Sequence, residues 1–534
     1  MFLLSLVAVL VAAALYLRNV GSRERGLPPG PPTFPIIGNL HILPTEFIQY
    51  KFTEWARQYG GIYSLKMGAS TTIVLTSPKL VKELLENQNA STADRPASHL
   101  VETVCGRFHL SFARYGALWR TQRRAAHAIL GTQAVTRLFP IQRAEAAQSL
   151  HDILASPESF YAHLERYAHS VIMSAFYGTR APRCESPEIT AFFEMIHDWS
   201  ALNEPGAVPP VDLFPILKFV PGWLATWKRT AMKVRKLQRQ VYFGLLDRAA
   251  ERIGMGERNG SGIEDVLERQ DEFRLHREMI GYLGGTLMEA GSETTSSYLK
   301  TLILCMIAYP DVQRRAQDEM DRVVGVDRIP TLAHLPHLCY IQALILETHR
   351  FRPTLPLLLP HATTATEKCG GYVVPSGSTV FVNLWGIFQD PDLYDDPEKF
   401  EPERYLLTEN GAKPGVDADG LKPNLSFGVG RRSCPGIHLA ENSININVMN
   451  LIWAFDFQPA MDAAGNPVQP DMFAYHKGLG TAPLPFKCRI TPRSAEKADI
   501  IRREFLDAEE VFVKFESGLG EEDKEFLRKS RRQG

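Results

Sequence analysis

Phe427 to Gly436 reads FGVGRRSCPG and runs directly into IHLAENSININVMNLIWAF, an apolar pattern of helical period. A cysteine, Cys434, therefore stands at the mouth of a helix. Pro435 suits a first helical turn, where its missing donor costs nothing, and the unpaired amides and dipole of such a terminus favour a thiolate. Gly428 and Gly430 let the backbone turn tightly and approach a flat ligand, while Arg432 is placed to neutralise an anionic group on that ligand's edge. A lone cysteine near glycines is more often a packed core residue, so its meaning depends on what accompanies it.

The chain has 534 residues, a length that suggests two or three domains. Hydrophobic residues make up 45% and charged residues 22%, enough apolar material for a large core. With 59 basic against 60 acidic side chains there is no excess of positive charge to hold a phosphate backbone, which argues against nucleic acid as a partner. The seven cysteines are scattered, odd in number and without a Cys-x-x-Cys pair, so neither a disulfide framework nor a zinc site is expected.

Phe2 to Leu17 is an uncharged run, FLLSLVAVLVAAALYL, followed by Arg18, Arg23 and Arg25. As a helix it would cover roughly 24 Å, a little under the hydrocarbon core of a bilayer. Basic residues follow the run rather than precede it, which favours an uncleaved single-pass anchor over a signal peptide and keeps the body cytoplasmic. Residues 1–20 are thus expected to be an anchor and 21–36 a basic, Pro-rich hinge, with Leu27 to Pro32 as a stiff spacer holding the body off the membrane.

Ile62 to Leu75, β-branched around Gly-Ala-Ser, predicts a hairpin. Pro78 to Asp321 is mainly helical in pattern, with amphipathic segments at Ile141 to Ala155 and Met232 to Ile253. Short strands are expected after Pro353, and loops from Asp390 to Gly430. The charged tail, 493–534, is expected to be an exposed, solvated helix.

Taken whole, Phe427, Gly430, Arg432, Cys434 and Gly436 resemble the haem-binding loop of cytochromes P450, Phe-x-x-Gly-x-Arg-x-Cys-x-Gly, at every specified position. Three further strings appear in that family's order. Ala290 to Ser297, AGSETTSS, interrupts a long apolar helix from about Arg277 to Ala308 and matches the oxygen-activation signature. Its small Ala290 and Gly291 would leave room over the haem, and Glu293 with Thr294 would form an acid–alcohol pair. Glu347 and Arg350, by spacing alone a surface ion pair, match a Glu-x-x-Arg motif that the family buries with a second arginine, here Arg404 in FEPERY. Trp119 to Arg123 resembles the Trp-x-x-x-Arg helix whose arginine meets a haem propionate, and His361 stands where a second propionate partner is often found.

The resemblance covers the chain to about Pro492. It implies a mainly helical fold with a small β-rich region, a haem-thiolate catalytic domain over 37–492, and Cys434 as axial ligand of the iron of haem b. It further implies a monooxygenase fed by NADPH through a cytochrome P450 reductase, with cytochrome b5 as a second donor, in the endoplasmic reticulum membrane. Phrases such as PVDLFPILKFVPGW are similar to fungal microsomal members that tailor secondary metabolites. Pocket segments by the same resemblance are Val101 to Phe112, Pro209 to Phe219, Tyr282 to Ala290, Pro353 to Leu359 and Gly478 to Thr481; Phe108, Ala290, Leu357, Leu358 and Leu359 suggest an apolar substrate. Two other functions stay open at this point: the same fold rearranging or dehydrating an oxygenated substrate, and a non-catalytic haem-binding membrane protein.

Overall fold

The computed structural model describes residues 20–204 and 206–533, together with Ser5. Apart from Ser5, the expected anchor run lies outside the described residues, and among those residues no helix is long and apolar enough to cross a membrane.

The principal helices are α1 (Ile48–Tyr59), α2 (His99–Cys105), α3 (Ala117–Leu130), α4 (Thr132–Ala155), α5 (Phe160–Ile172), α6 (Pro187–Asn203), α7 (Thr226–Gly254), α8 (Arg277–Ala308), α9 (Pro310–Val323), α10 (Cys339–Phe351), α11 (Ile437–Ala454), α12 (Ala495–Asp507) and α13 (Glu521–Gln533). The strands β1 (Ile62–Met67) and β2 (Ser70–Leu75) form the expected hairpin, closed by Gly68 at φ +58° and Ala69. The later strands are β3 (His361–Ala362), β4 (Glu367–Cys369), β5 (Tyr372–Val374) and β6 (Thr379–Val382), then β7 (Phe455–Met461), β8 (Pro467–Val468) and β9 (Cys488–Pro492). One sheet runs β1-β2-β6-β3, with β6 parallel to β2 and antiparallel to β3; β4 pairs with β5, and β7 lies between β8 and β9.

α8 is buried around most of its circumference, as its nearly continuous apolar sequence requires. Leu299, Ile303 and Met306 pack against Leu164 and Tyr167 of α5, Ile341 and Leu344 of α10, and Met449 and Ile452 of α11 in one cluster that reaches from Ala146 to Ile501. The division suggested by length is not what this continuous core shows. α8 and α11 thereby become rigid walls on either side of the candidate site.

Two segments differ from expectation. The Pro-rich stretch is no free spacer, because it is fastened along β1: Ser64 N donates to the Pro29 carbonyl at 2.7 Å, the Ser64 hydroxyl to that of Pro28 at 2.6 Å, and Arg23 Nη2 to that of Pro31 at 2.8 Å. Gly30 is needed there, since a Cβ would stand 2.1 Å from the Ser64 carbonyl oxygen. Lys66 on β1, 1% exposed, finds its counter-ion in Glu24 at 2.7 Å.

The charged tail is likewise docked rather than solvated. Phe505, Phe512 and Phe515 are buried against Ile141, Ala144 and Ala147 of α4. Arg180, fully buried, donates to Glu145 at 3.0 Å and to Glu516 of the tail at 2.8 Å, with its guanidinium 3.4 Å from the Phe512 ring centroid. Some charges that look solvated in sequence partner the body, as Glu516 does with buried Arg180 and Asp523 with Arg183, while others, such as Glu521, Glu525 and Lys529, stay exposed on α13.

Candidate active site

Cys434 is held by the turn that precedes α11. Gly428 and Gly430 adopt φ +80° and +60°, and the Cys434 amide donates to the Phe427 carbonyl at 2.8 Å. The close backbone approach at Gly430 is to Leu85, whose carbonyl oxygen would lie 2.5 Å from an added Cβ; only Gly428 of the two lines the cavity. α11 begins at Ile437 with Gly436 as its cap, so Pro435 precedes the helix instead of occupying its first turn. The helix mouth does not by itself favour a thiolate: burial pushes the Cys434 thiol up, against the opposing pull of the Gly436 amide and Arg123. A bound metal ion would reverse that balance, since a coordinating thiol is deprotonated outright.

The cavity in front of Cys434 has a volume of about 250 Å³. Ala290, Gly291 and Thr294 of α8 line one side, and Phe427, Cys434 and Gly436 the other. Trp119, Arg123, His361 and Arg432 border it, as do Leu358 and Leu359. Two expected pocket residues stand elsewhere. Phe108 turns its ring onto Tyr282, with centroids 6.2 Å apart, and onto His276, at 5.3 Å; Leu357 lines a smaller neighbouring pocket with Phe47, Phe381 and Thr481.

Arg432 donates to the carbonyls of Ala93 (2.7 Å) and Ala113 (2.7 Å) and lies 4.2 Å over the Trp119 ring; burial pushes its pKa down to about 10. Arg123 donates to the Ser433 carbonyl at 2.6 Å. Arg95, which sequence reasoning did not single out, completes the group: it lines the cavity, is buried, and donates to the carbonyls of Leu359 (2.7 Å) and Pro360 (2.8 Å). Burial and the neighbouring Arg432 hold its pKa well below the ordinary value. None of the three guanidiniums donates to a carboxylate, although buried charges require compensation. A flat ligand with an anionic edge supplies what they lack. His361 donates from Nδ1 to the Thr92 carbonyl at 2.9 Å, and burial pushes its pKa down to about 3. His349 is a second unforeseen lining residue, neutral for the same reason, pushed down to about 4, with its ring 5.5 Å from that of Phe427.

α8 runs through AGSETTSS without a break in its helical geometry. The hydroxyls bond back as expected: Thr294 Oγ1 donates to the Ala290 carbonyl at 2.6 Å, and Ser296 and Ser297 both donate to that of Glu293. Acid and alcohol nevertheless face different ways. Thr294 lines the cavity, whereas the Glu293 carboxyl points at the turn Gly478–Thr481, where a Cβ on Gly480 would lie 3.7 Å from Oε1. Desolvation, reinforced by the Glu289 charge and opposed by Lys300, pushes Glu293 up to about 7.

The structure brings Glu347, Arg350 and Arg404 together out of solvent. Arg350 donates to both carboxylate oxygens of Glu347 at 2.7 and 2.8 Å, and Arg404 Nε to Glu347 at 3.2 Å. Arg350 also holds the carbonyls of Phe388 and Pro397, so the cluster ties α10 to the irregular chain that leads to the cysteine loop.

A family model described as Cytochrome P450 matches residues 28–489. The chain is 44% identical to a cytochrome P450 monooxygenase of Armillaria gallica, over 95% of this chain and 97% of that protein. It is 37% identical to one of Aspergillus terreus, over 95% of each chain. Among solved structures, a zebra fish cytochrome P450 with abiraterone superposes with a TM-score of 0.67 at 25% identity, covering 84% of this chain and all of that one.

Proposed function

The chain belongs to the cytochrome P450 family and is an oxidoreductase of its monooxygenase class, and from that premise we propose that it oxidises an apolar small molecule of fungal secondary metabolism with electrons that a reductase draws from NADPH. The observation that carries this reading is the convergence on one cavity of the Cys434 thiol, three guanidiniums without carboxylate partners, those of buried Arg95 and Arg432 and half-buried Arg123, and the Thr294 hydroxyl. Relatives of this kind in Armillaria, Aspergillus and Penicillium support the fungal context.

Haem b, when bound, supplies the activation of dioxygen and the insertion of one oxygen atom into substrate. The protein does the rest. Cys434 offers its sulfur from a turn fixed by Gly428 and Gly430. Arg95, Arg123 and Arg432 compensate the anionic edge, with neutral His361 beside them. Ala290 keeps the wall of α8 thin at the cavity, while Gly291 lets α8 approach Ile172 of α5, whose side chain an added Cβ would strike. The Thr294 hydroxyl gives up its bond to the Ala290 carbonyl to donate into the cavity, and Glu293 holds the replacement proton near neutral pH. Leu358 and Leu359 keep the substrate side apolar.

We assign the body to the cytoplasmic face of the endoplasmic reticulum membrane, with Phe2 to Leu17 as anchor. The exposed side chains of Ile216, Phe219, Trp223 and Leu224 support this, because together they make an apolar surface that water alone does not favour. The exposed Arg120 and Arg124 on α3 offer positive charge to an acidic reductase, and to cytochrome b5 as a second, likewise acidic, donor.

The test uses the full-length protein with a fungal reductase, NADPH and extracts of the source organism grown with and without the gene. Product should require both oxygen and NADPH. In Thr294→Ala, NADPH should still be consumed while product per NADPH falls and hydrogen peroxide rises. Turnover without oxygen would place the chain among the rearranging relatives, and unchanged coupling in both Thr294→Ala and Glu293→Gln would overturn the assigned proton roles.

A further inference from the structure

Buried α8 carries one polar stripe. Glu293, Ser296, Ser297, Lys300 and Thr301 follow one another at i, i+3, i+4, i+7 and i+8, the spacing of a single helical face. Lys300 is the costly member, because it lies 5% exposed in an otherwise apolar neighbourhood. Its ammonium meets Glu165 of α5 at 2.5 Å and the Tyr161 ring at 4.8 Å, and the Glu165 side chain is 33% exposed. The stripe therefore begins at solvent. Its other end is Glu293, whose carboxyl accepts no hydrogen bond from the described residues and faces away from the cavity.

The remaining polar groups around Glu293 lead nowhere. One turn earlier, Glu289 is 6% exposed and its carboxylate is saturated by His109 (2.7 Å), Gln238 (3.2 Å) and Tyr242. Ser292 meets only His169, also fully buried. Thr294 faces the cavity, not bulk water, with its resting bond to the Ala290 carbonyl. Of these side-chain directions the one through Lys300 ends at a partly exposed group, Glu165.

We infer that the stripe from Glu165 past Lys300 to Glu293 is the proton uptake path of the enzyme, with Lys300 as a positioning charge. The inference rests on the monooxygenase reading above. Each proton that leaves the Glu293 carboxyl is replaced by one taken from bulk water at Glu165. The Lys300 ammonium keeps its own protons throughout. Lys300 and Glu293 are about 10.5 Å apart along the axis, and helical side chains lean toward the N-terminus, so the ammonium leans back over the turn of Ser296 and Ser297. These hydroxyls donate to the Glu293 carbonyl and keep lone pairs for water. The charge orders that water and eases ionisation of Glu293 between turnovers, in line with the direction in which Lys300 acts on it. His476, in the irregular segment before the 478–481 turn, His197 of α6, Tyr161 and Cys184 are further titratable groups beside Lys300 or Glu165.

The test compares Lys300→Gln, Lys300→Arg and Glu165→Gln with Glu293→Gln in the full-length holoprotein. One readout needs no turnover: the carboxyl infrared band of Glu293, identified by difference against Glu293→Gln, should titrate at higher pH in Lys300→Gln and return to the parent midpoint in Lys300→Arg. The second is kinetic. Lys300→Gln and Glu165→Gln should lower kcat about tenfold, raise the solvent deuterium isotope effect and leave KM and the haem spectrum unchanged. Glu165→Gln sits at a partly exposed rim and preserves the test if Lys300→Gln fails to fold. If Glu293→Gln uncouples the enzyme while Lys300→Gln and Glu165→Gln change neither midpoint nor isotope effect, the path runs elsewhere and the function stands. If Glu293→Gln is itself silent, both fall.

Discussion

Phe512→Ala is the sharpest test of whether the C-terminal segment belongs to the enzyme. The ring is 1% exposed, packs in the cluster with Ile141, Ala144 and Ala147, and lies 3.4 Å from the guanidinium of buried Arg180. Truncating a buried phenylalanine costs about 3–5 kcal/mol, and a desolvated cation over the ring adds about 2 kcal/mol. A loss of about 4 kcal/mol is a conservative value, because the cavity can partly collapse. Unfolding entropy of about 2.1 cal/mol/K per residue gives about 1.1 kcal/mol/K for 534 residues. The melting temperature should therefore fall by about 4 °C. The assay is loss of Soret absorbance and near-ultraviolet circular dichroism at one fixed scan rate, since unfolding of so large a chain is expected to be irreversible. The neighbouring Val513→Ala, at a site 57% exposed, serves as the control and should not move the transition. If Phe512→Ala melts together with Val513→Ala, the tail is an appendage and the docking argument is refuted.

Cys434→Ala should abolish the red-shifted Soret band of the reduced, carbon monoxide-bound protein; a variant that keeps the band would show that another residue is the ligand. The raised pKa of Glu293 means that its neutral form is favoured by the fold, so its contribution to stability is full below the ordinary carboxylate range and is lost as pH rises through about 7. Glu293→Gln should accordingly be more stable than the parent above pH 7 and equal to it in acid, in melts across that range, and the parent's kcat should decline over the same limb. A chain starting at Val20 should keep its haem spectrum and partly leave the microsomal membrane, whereas one starting at Gly26 should melt lower, because Lys66 loses Glu24 and β1 loses Arg23; equal melting of the two would contradict the fastening of that segment. Glu347→Gln should cost several kcal/mol, about the 3–5 kcal/mol of a broken buried ion pair, and be seen as poor haem retention.

The cysteine loop was legible because five positions of fixed identity and spacing leave little room for coincidence. The hairpin at 62–75 followed from β-branched residues around a Gly-Ala-Ser break, and the long helix of 277–308 from its apolar pattern. Arg404 could be joined to Glu347 only through family resemblance, since nothing local tells a buried ion pair from a solvated one. Arg95 carries no spacing signal; its role arises from carbonyls contributed by residues more than 260 positions away. Phe108 was expected at the cavity from its segment, but the direction of a loop side chain is set by the tertiary partners Tyr282 and His276. The tail was misread because its charges drew attention from an apolar stripe at Ile501, Phe505, Ala508, Phe512 and Phe515, which has helical period and was there to be found.

The fastening of the Pro-rich stretch along β1 sets the length of a leash. If Phe2 to Leu17 lies in lipid as proposed, only Arg18 and Asn19 separate it from Val20, whose carbonyl accepts a hydrogen bond from the Ile36 amide at 2.7 Å. At about 3.6 Å per residue, that is roughly 10 Å of chain. A leash so short cannot let the body drift from the lipid surface or turn over upon it, and the corner bearing Arg23, Ser64 and the exposed Phe34 and Ile36 must stay beside the bilayer. Rolling about that corner would be the freedom that remains, and under that proposal the membrane side of the enzyme would be chosen by bonds to a β-strand.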